Sequence, residues 1–382
     1  MKLKQIITTS LITAASIAFT FAGPFYFEDS FVASDSKENC FYPTGISSSA
    51  KQKNAVFFWQ ETDGNSIYIS SKSSSDGIFW NTNKRFAGPF EFSGDVPQIY
   101  SAATNEKTTV LAVMNEEKIE LFTSQDSFAS IKQKTLASDM NFIAPRVFRN
   151  SAGGFTIFAS HPDEDSFSLY YATSNDGENW SSFAEFTVPF QVKNTYNPIA
   201  PFLAPSKGGD IVVYQCQYSE SNLISIQLFS TFTKDNGKSW TKPVLFSGKE
   251  STEDGKFTSF NNQNPFVIRT KANEVMVAWE RSPFYSTNGD IYFALMSDTG
   301  AFKGKIEKIS STGFSSKPQL FEFEDSVNLT WFTTSKGNQN VYLAQKKGAW
   351  WEDATMISSN QAQLPSAFYT NHGKELSFVW EE

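Results

Sequence analysis

The chain has 382 residues, 40% of them apolar and 19% charged, the proportions of a foldable globular protein and not of a disordered one. Forty acidic residues against 32 basic ones leave a net charge of −8 at pH 7, which argues against a nucleic-acid partner, because phosphate binding draws on clustered Lys and Arg. Only two cysteines occur, Cys40 and Cys216, too far apart along the chain for a bridge to be expected. Stability must therefore come from core packing and not from a disulfide framework.

In chain order, the first element is "MKLKQIITTSLITAASIAFTFA", a short basic start followed by an uncharged run of apolar and small residues ending in Ala22. It reads as a cleavable secretory signal over 1–22, with a mature chain from Gly23. Ser and Thr dilute the run, and no second apolar segment of about 18 residues follows, so no integral membrane segment is expected after its removal. The expected location is extracytoplasmic: secreted, periplasmic or cell-surface.

The remainder, 23–382, is governed by self-similarity and is expected to be a single domain. Seven segments open on a proline followed by apolar residues, at Pro43, Pro97, Pro145, Pro201, Pro265, Pro318 and Pro365, spaced 47 to 64 residues apart. Each is followed, after a polar turn, by a strand of period-2 apolar character, such as "NAVFFWQE", "GFTIFAS", "EVMVAWER" and, last, "ELSFVWEE". Six have a third strand, such as "SIYISS", "FSLYYATS" and "DIYFALMS".

After each third strand stands a polar turn in phase with the prolines: "SSSDGIFW" from Ser73, "TSNDGENW" from Thr173 and "TKDNGKSW" from Thr233, with weaker copies from Ser124, Met296 and Ala344. These residues resemble the Asp-box, or BNR, repeat of sialidase-like β-propellers, whose pattern is Ser/Thr-x-Asp-x-Gly-x-Thr/Ser-Trp. Thr233, Asp235, Gly237 and Trp240 match throughout. Ser73, Asp76, Gly77 and Trp80, and likewise Thr173, Asp176, Gly177 and Trp180, match with Ser75 and Asn175 where the pattern has Asp; the weaker copies supply Asp298, Gly300, Gly348 and Trp351.

The resemblance covers essentially the whole mature chain. It implies an all-β fold: a β-propeller of four-stranded antiparallel blades, seven by the proline count, with the six-bladed sialidase type as the alternative. It leaves the activity open, since such propellers serve enzymes, receptors and assembly factors alike. The seventh unit stops at Glu382 after its second strand, which leaves an edge to be closed. "FAGPFYF" at 21–27 repeats "FAGPFEF" at 86–92, so residues 24–28 are expected to supply an N-terminal closing strand, with 29–36 as a possible addition. A longer protein continuing past Glu382 is the alternative.

In a four-stranded meander, third-to-fourth turns share one rim with first-to-second turns. The Asp-box residues are therefore expected to be structural, with Asp235 accepting backbone N–H groups, Gly237 taking a positive φ and Trp240 folding onto its blade. Function is expected on the opposite rim, where long segments crowd blades three to five: 160–167, 191–201, 246–265 and 280–289. Ligand-binding candidates there are His161, Asp163, Tyr196, Asn261, Asn262, Glu280, Arg281 and Tyr285. Acidic residues also recur at second-strand ends, at Glu61, Glu116, Glu117, Asp163, Glu220, Glu280 and Glu381, either as a ring that attracts a cation or basic partner or as solvated loop ends.

The resemblance makes sialic-acid cleavage the first enzyme hypothesis, which implies three arginines on the substrate carboxylate and a tyrosine nucleophile. Yet "CFYPTG" stands where the first arginine is expected, and of the five arginines Arg281 is the one expected to face a ligand, while Arg146 follows an inner-strand proline and Arg149 and Arg269 lie toward the other rim. A hydrolase using carboxylates alone would draw on Asp163, Asp165 and Glu280, with Arg281 and Tyr196 beside them. With His161 and His372 the only histidines and no Cys/His cluster, no metal and no cofactor is expected. The leading expectation is a non-catalytic binding or scaffold module for a glycan or protein ligand.

Overall fold

The computed structural model describes residues 3–9 and 39–381, apart from 48–53, 95, 117, 137–138, 164–166, 187–200, 221–222, 246–259, 284–285, 287, 311–312 and 359–360. Six antiparallel blades of four strands follow one another at 39–91, 100–136, 143–186, 201–245, 260–308 and 314–356, each with its strands in sequential order. The outer strand of the sixth is in two pieces, Trp350–Trp351 and Thr355–Met356. Their first strands line a common central channel.

The last unit is smaller. Gln363–Thr370 and Glu375–Glu381 pair with each other and, through Glu375–Glu381, with Leu3–Thr9, giving a three-stranded sheet. Six blades are thus four-stranded, the alternative raised above, and this sheet stands in place of the seventh full blade that the proline count predicts. The segment expected to close the ring, 24–28, lies outside the described residues, as does 29–36. The last sheet packs on the first blade: Phe368 lies edge-on to Trp80, and the Gly45 N–H donates to Ser366 Oγ at 2.9 Å.

The recurring prolines mark β-bulges. In five inner strands the residue before proline takes a positive φ, at Tyr42, Ala144, Asn264, Lys317 and Leu364, and the ladder slips there by one residue. Proline has no N–H to place in the ladder, so an inner strand accommodates it at such an irregularity. Opposite four of the five bulges the second strand places a buried tryptophan: Trp59, Trp279, Trp331 and Trp380. The two periodic sequence signals, proline and second-strand tryptophan, are therefore one structural unit.

A bulge leaves backbone N–H groups without a ladder partner, and a buried N–H needs one. Residues at the ends of second strands supply it across the seams between blades. Glu280 accepts from Lys317 N at 2.6 Å, Glu381 from Tyr42 N at 3.2 Å, Gln215 from Asn264 N at 2.7 Å, and Gln60 from Ile99 N at 2.8 Å. Glu61, Glu280 and Glu381 are almost wholly buried. Neither reading of the acidic ring, cation-attracting or solvated, holds for these three. They are internal clamps.

The third-to-fourth turns are closed by their own side chains. Asp76 accepts from the N–H groups of Ile78 and Phe79, and Asp176 from those of Glu178 and Asn179. In these two copies the hydroxyl that binds the aspartate and the glycine N–H belongs to Ser74 and Ser174, not to Ser73 and Thr173, so the spacing is one residue shorter than the alignment assumes. Ser73 and Thr173 instead pair through their backbones with the side chains of Asn81 and Ser181. The copy at Thr233 is the longer form, with Gly237 N–H donating to Thr233 Oγ1 and Ser239 N–H to Asp235 Oδ1. Trp80 and Trp180 donate their indole N–H to the carbonyls of Gly77 and Gly177, whereas Trp240 Nε1 finds no partner among the described residues.

In the copy at Met296, Ser297 Oγ bonds the Ala301 N–H and the Thr299 hydroxyl, so Thr299 occupies the aspartate place and Asp298 contributes only its carbonyl, to Ser206. Each glycine turn leans on the preceding unit: a Cβ on Gly77 would strike Thr370, one on Gly177 Val110, one on Gly237 Tyr171, and one on Gly300 would press on Ile211. Gly348 has open space, and Trp351 packs edge-on against Phe293 of the fifth blade. Cys40 and Cys216 are both buried and unbridged, and burial pushes the Cys216 thiol up to about 12.

Candidate functional site

The central channel has a volume of about 910 Å³ and is lined by inner-strand residues from all seven sheets. Two layers define its mouth at the end where those strands begin. The position after each proline faces the channel: Thr44, Gln98, Arg146, Phe202, Phe266, Gln319 and Ser366. Only Arg146 in that layer is charged. Of the residues that precede the seven prolines only Lys317 is charged, and it too lines the channel. Phe202 and Phe266 of the Arg146 layer form a row of contacts with Phe148, with ring centroids 5.0 Å apart for Phe148 and Phe202 and 4.4 Å for Phe202 and Phe266.

The fates of the five arginines separate sharply. Arg85 pairs with Glu61 at 2.7 Å and lies over Tyr68 on the outer part of the first blade. Arg149 and Arg269, at the last positions of their strands, line the far end of the channel, the first paired with Glu106 and the second bonded to Asn273. Arg281, the expected ligand contact, is buried in the fifth blade instead: its Nε donates to Asn262 at 2.8 Å and its guanidinium lies 4.5 Å from the Tyr292 ring centre. Arg146 alone has no hydrogen bond or ion pair among the described residues. A three-arginine cradle is not assembled among them.

Lys317 is held by a network around its own bulge. Its ammonium donates to Asn264 Oδ1 at 3.1 Å, and Asn264 Nδ2 donates in turn to Glu280 Oε1 at 2.8 Å. Glu280 also accepts from Ser316 Oγ at 2.7 Å, Lys317 N at 2.6 Å and Gln263 Nε2 at 3.3 Å, so four donors occupy its two oxygens. Burial in the channel draws the Lys317 ammonium below its usual range, Glu280 opposes that and Arg146 adds to it. Burial likewise lowers Arg146, which remains charged because guanidinium deprotonates only far above neutrality. The acids that line the channel, Glu322 and Glu324, lie at its far end, where Glu322 accepts from Lys271 N.

The remaining candidates fall into three groups. Asn261 and Asn262 are structural: Asn261 Oδ1 accepts from Ile226 N, and Asn262 bridges Trp279, Arg281 and Gln227. Glu280 is a seam clamp and not a free catalytic carboxylate. His161 and Asp163 sit at the end of the second strand of the third blade, where His161 Nδ1 lies 2.8 Å from the Asn141 carbonyl, Nε2 lies 3.8 Å from Asp163, and Asp163 accepts from Ser168 Oγ at 2.7 Å. Tyr170 stands against this pair, its hydroxyl held above the usual range by burial, then by Glu185 and Asp163. Asp165, Tyr196 and Tyr285 lie outside the described residues. Sequence reasoning passed over Arg146 and Lys317, although both adjoin the proline marker and each is the one charge in its layer.

No family model matches the chain, and no curated protein matches it. Solved structures do. A polysaccharide lyase, Uly1, superimposes with a TM-score of 0.57 at 11% identity over 100% of both chains. The fold is a β-propeller. An α-L-arabinanase of Penicillium chrysogenum, solved with arabinobiose, gives a TM-score of 0.52 at 14% identity over 75% of this chain and 94% of its own. A sialidase of Trypanosoma rangeli gives 0.52 at 12% identity, over 90% of this chain and 55% of its own. At such identities the likeness is one of propeller architecture.

Proposed function

We propose that the protein is an exported glycan-binding propeller that seats a saccharide over the channel mouth where its inner strands begin, as a binding or scaffold module and not a hydrolase. The observation that carries this reading is the division of polar groups. Glu280 and Arg281, two of the groups that the sequence offers for acid–base work or substrate clamping, are spent on internal bonds. The channel mouth, by contrast, presents Gln98, Arg146 and Lys317 to an open cavity. The glycan side of the proposal is supported by fold likeness to a polysaccharide lyase and an arabinanase; export is supported by the composition of residues 1–22.

A glycan array probed with the exported protein tests the reading, alongside the variant Ala102→Trp, which narrows the channel. Glycan retention by the native protein and its loss in the variant are the expected outcome. Turnover of a fluorogenic sialoside or arabinoside would overturn the non-catalytic reading, and capture of proteins without any glycan would replace the ligand class. The intact mass of the exported chain tests the signal: a start at Gly23 is expected, which would remove Leu3–Thr9 from the last sheet, and a mass that retains this strand would overturn it.

A further inference from the structure

Resting on the channel-mouth reading, we infer that the ligand carries an oxyanion, a carboxylate or a sulfate ester on a saccharide unit, which enters the channel and binds between Arg146 and Lys317. Three observations converge on it. Each residue is the one charge in its layer of the mouth, both charges are positive and line the same channel, and six uncharged positions stand beside Arg146 while the channel-lining acids Glu322 and Glu324 lie at the far end.

Arg146 is half-buried and Lys317 exposed in the channel wall, so both charges are open to a ligand, and a half-buried cation gains when a counter-charge meets it. Four of the five arginines have found partners inside the protein, and Arg146 has none among the described residues. Glu280 offsets part of the cost of the Lys317 charge from behind, but it reaches the ammonium only through Asn264 and makes no direct bond to it among the described residues. Asn264 instead orients the ammonium with a neutral oxygen, which leaves its charge available. An arriving oxyanion would take charge-assisted hydrogen bonds from both groups, and the planar guanidinium suits a bidentate contact. Phe202 and Phe266 in the Arg146 layer, with Phe148 against Phe202, give the site an apolar flank beside the anion position.

The test uses isothermal titration of the full exported protein with sodium glucuronate, inorganic sulfate, polygalacturonate, a sulfated galactan and neutral arabinan. Arg146→Met and Lys317→Met keep the length of each side chain without its charge, and their folding is checked by thermal unfolding. Acidic probes are expected to bind at least about tenfold more weakly to each variant, with neutral arabinan unaffected by either. Comparison of glucuronate with sulfate, and of the two acidic polymers, identifies the anion. If acidic probes bind native protein and variants alike, or do not bind at all, the oxyanion site is wrong even where arabinan binds. If glucuronate or sulfate depends on Arg146 but no polymer binds, the anion site stands and the glycan reading falls.

Discussion

The turns after the third strands and the mouth of the channel are built from the same repeat, yet they treat polar groups in opposite ways. At the turns from Ser73, Thr173, Thr233 and Met296 the copy closes on itself: Ser or Thr hydroxyl to aspartate or threonine, side chain to backbone N–H, glycine against the neighbouring unit. At the mouth the positions around each proline depart from one another, and two of them carry a charge that the fold does not neutralise. What repeats is structural, because each copy solves the same backbone problem. What breaks the repeat is free to face a ligand.

The contrast can be broken most forcefully at the seams. Glu280→Ala leaves the donors of Lys317 N, Ser316, Asn264 and Gln263 without their acceptor, and is expected to cost about 4 kcal/mol in urea-unfolding stability, with Glu280→Gln costing about half as much. A near-neutral result for alanine would return Glu280 to the list of free carboxylates. Trp240 packs against Phe186 at 5.0 Å and Tyr171 at 5.7 Å, so Trp240→Ala should cost about 3 kcal/mol while the folded protein keeps its ligand affinity. A selective loss of binding without loss of stability would move function to the turn rim.

Acid sharpens the same comparison. The backbone N–H of Asn179 holds the Asp176 carboxyl well below its usual range, and the Ser239 hydroxyl and N–H bring Asp235 down to about 2. Their folded pKa values are depressed, so the stability they contribute is present above the usual value of 3.8 and is lost as pH falls through the folded values. Asp210 and Glu381 have the opposite sign, because burial raises both; protonation favours the folded state, so their effect is a gain as pH falls from neutrality toward their usual values of 3.8 and 4.5. Unfolding midpoints measured from neutral to strongly acidic pH should rise slightly and then drop, and the final drop should shrink in the Asp176→Asn, Asp235→Asn double variant. The smallest stability effect belongs to the mouth: Arg146→Met should shift unfolding by no more than about 0.5 kcal/mol, or stabilise slightly, since it removes a cation without breaking a bond.

Much of the fold was legible from periodicity. Strand order, blade boundaries and the turns at Asp76, Asp176 and Asp235 all follow from signals within about eight residues of one another, the range over which turn chemistry and side-chain alternation act. One-residue spacing was not legible: the shorter turns at Ser74 and Ser174 align with the pattern only once their hydrogen bonds are seen. Nor was the role of Glu61, Glu280 and Glu381, which look like loop-end acids and prove to be buried clamps.

The sequence by itself determined an all-β chain of repeated sheet units, because a proline bulge, an alternating strand and a polar turn are each local events imposed by φ restriction and side-chain direction. Only the tertiary structure decided which charges are free. The sequence pointed to Arg281 as the ligand contact and away from Arg146, but Arg281 is folded into its own blade against Asn262 and Tyr292 while Arg146 lines the channel. The physical reason is that a partner for a charge is found through space, across blades more than a hundred residues apart, and no local pattern records whether that partner has already been taken.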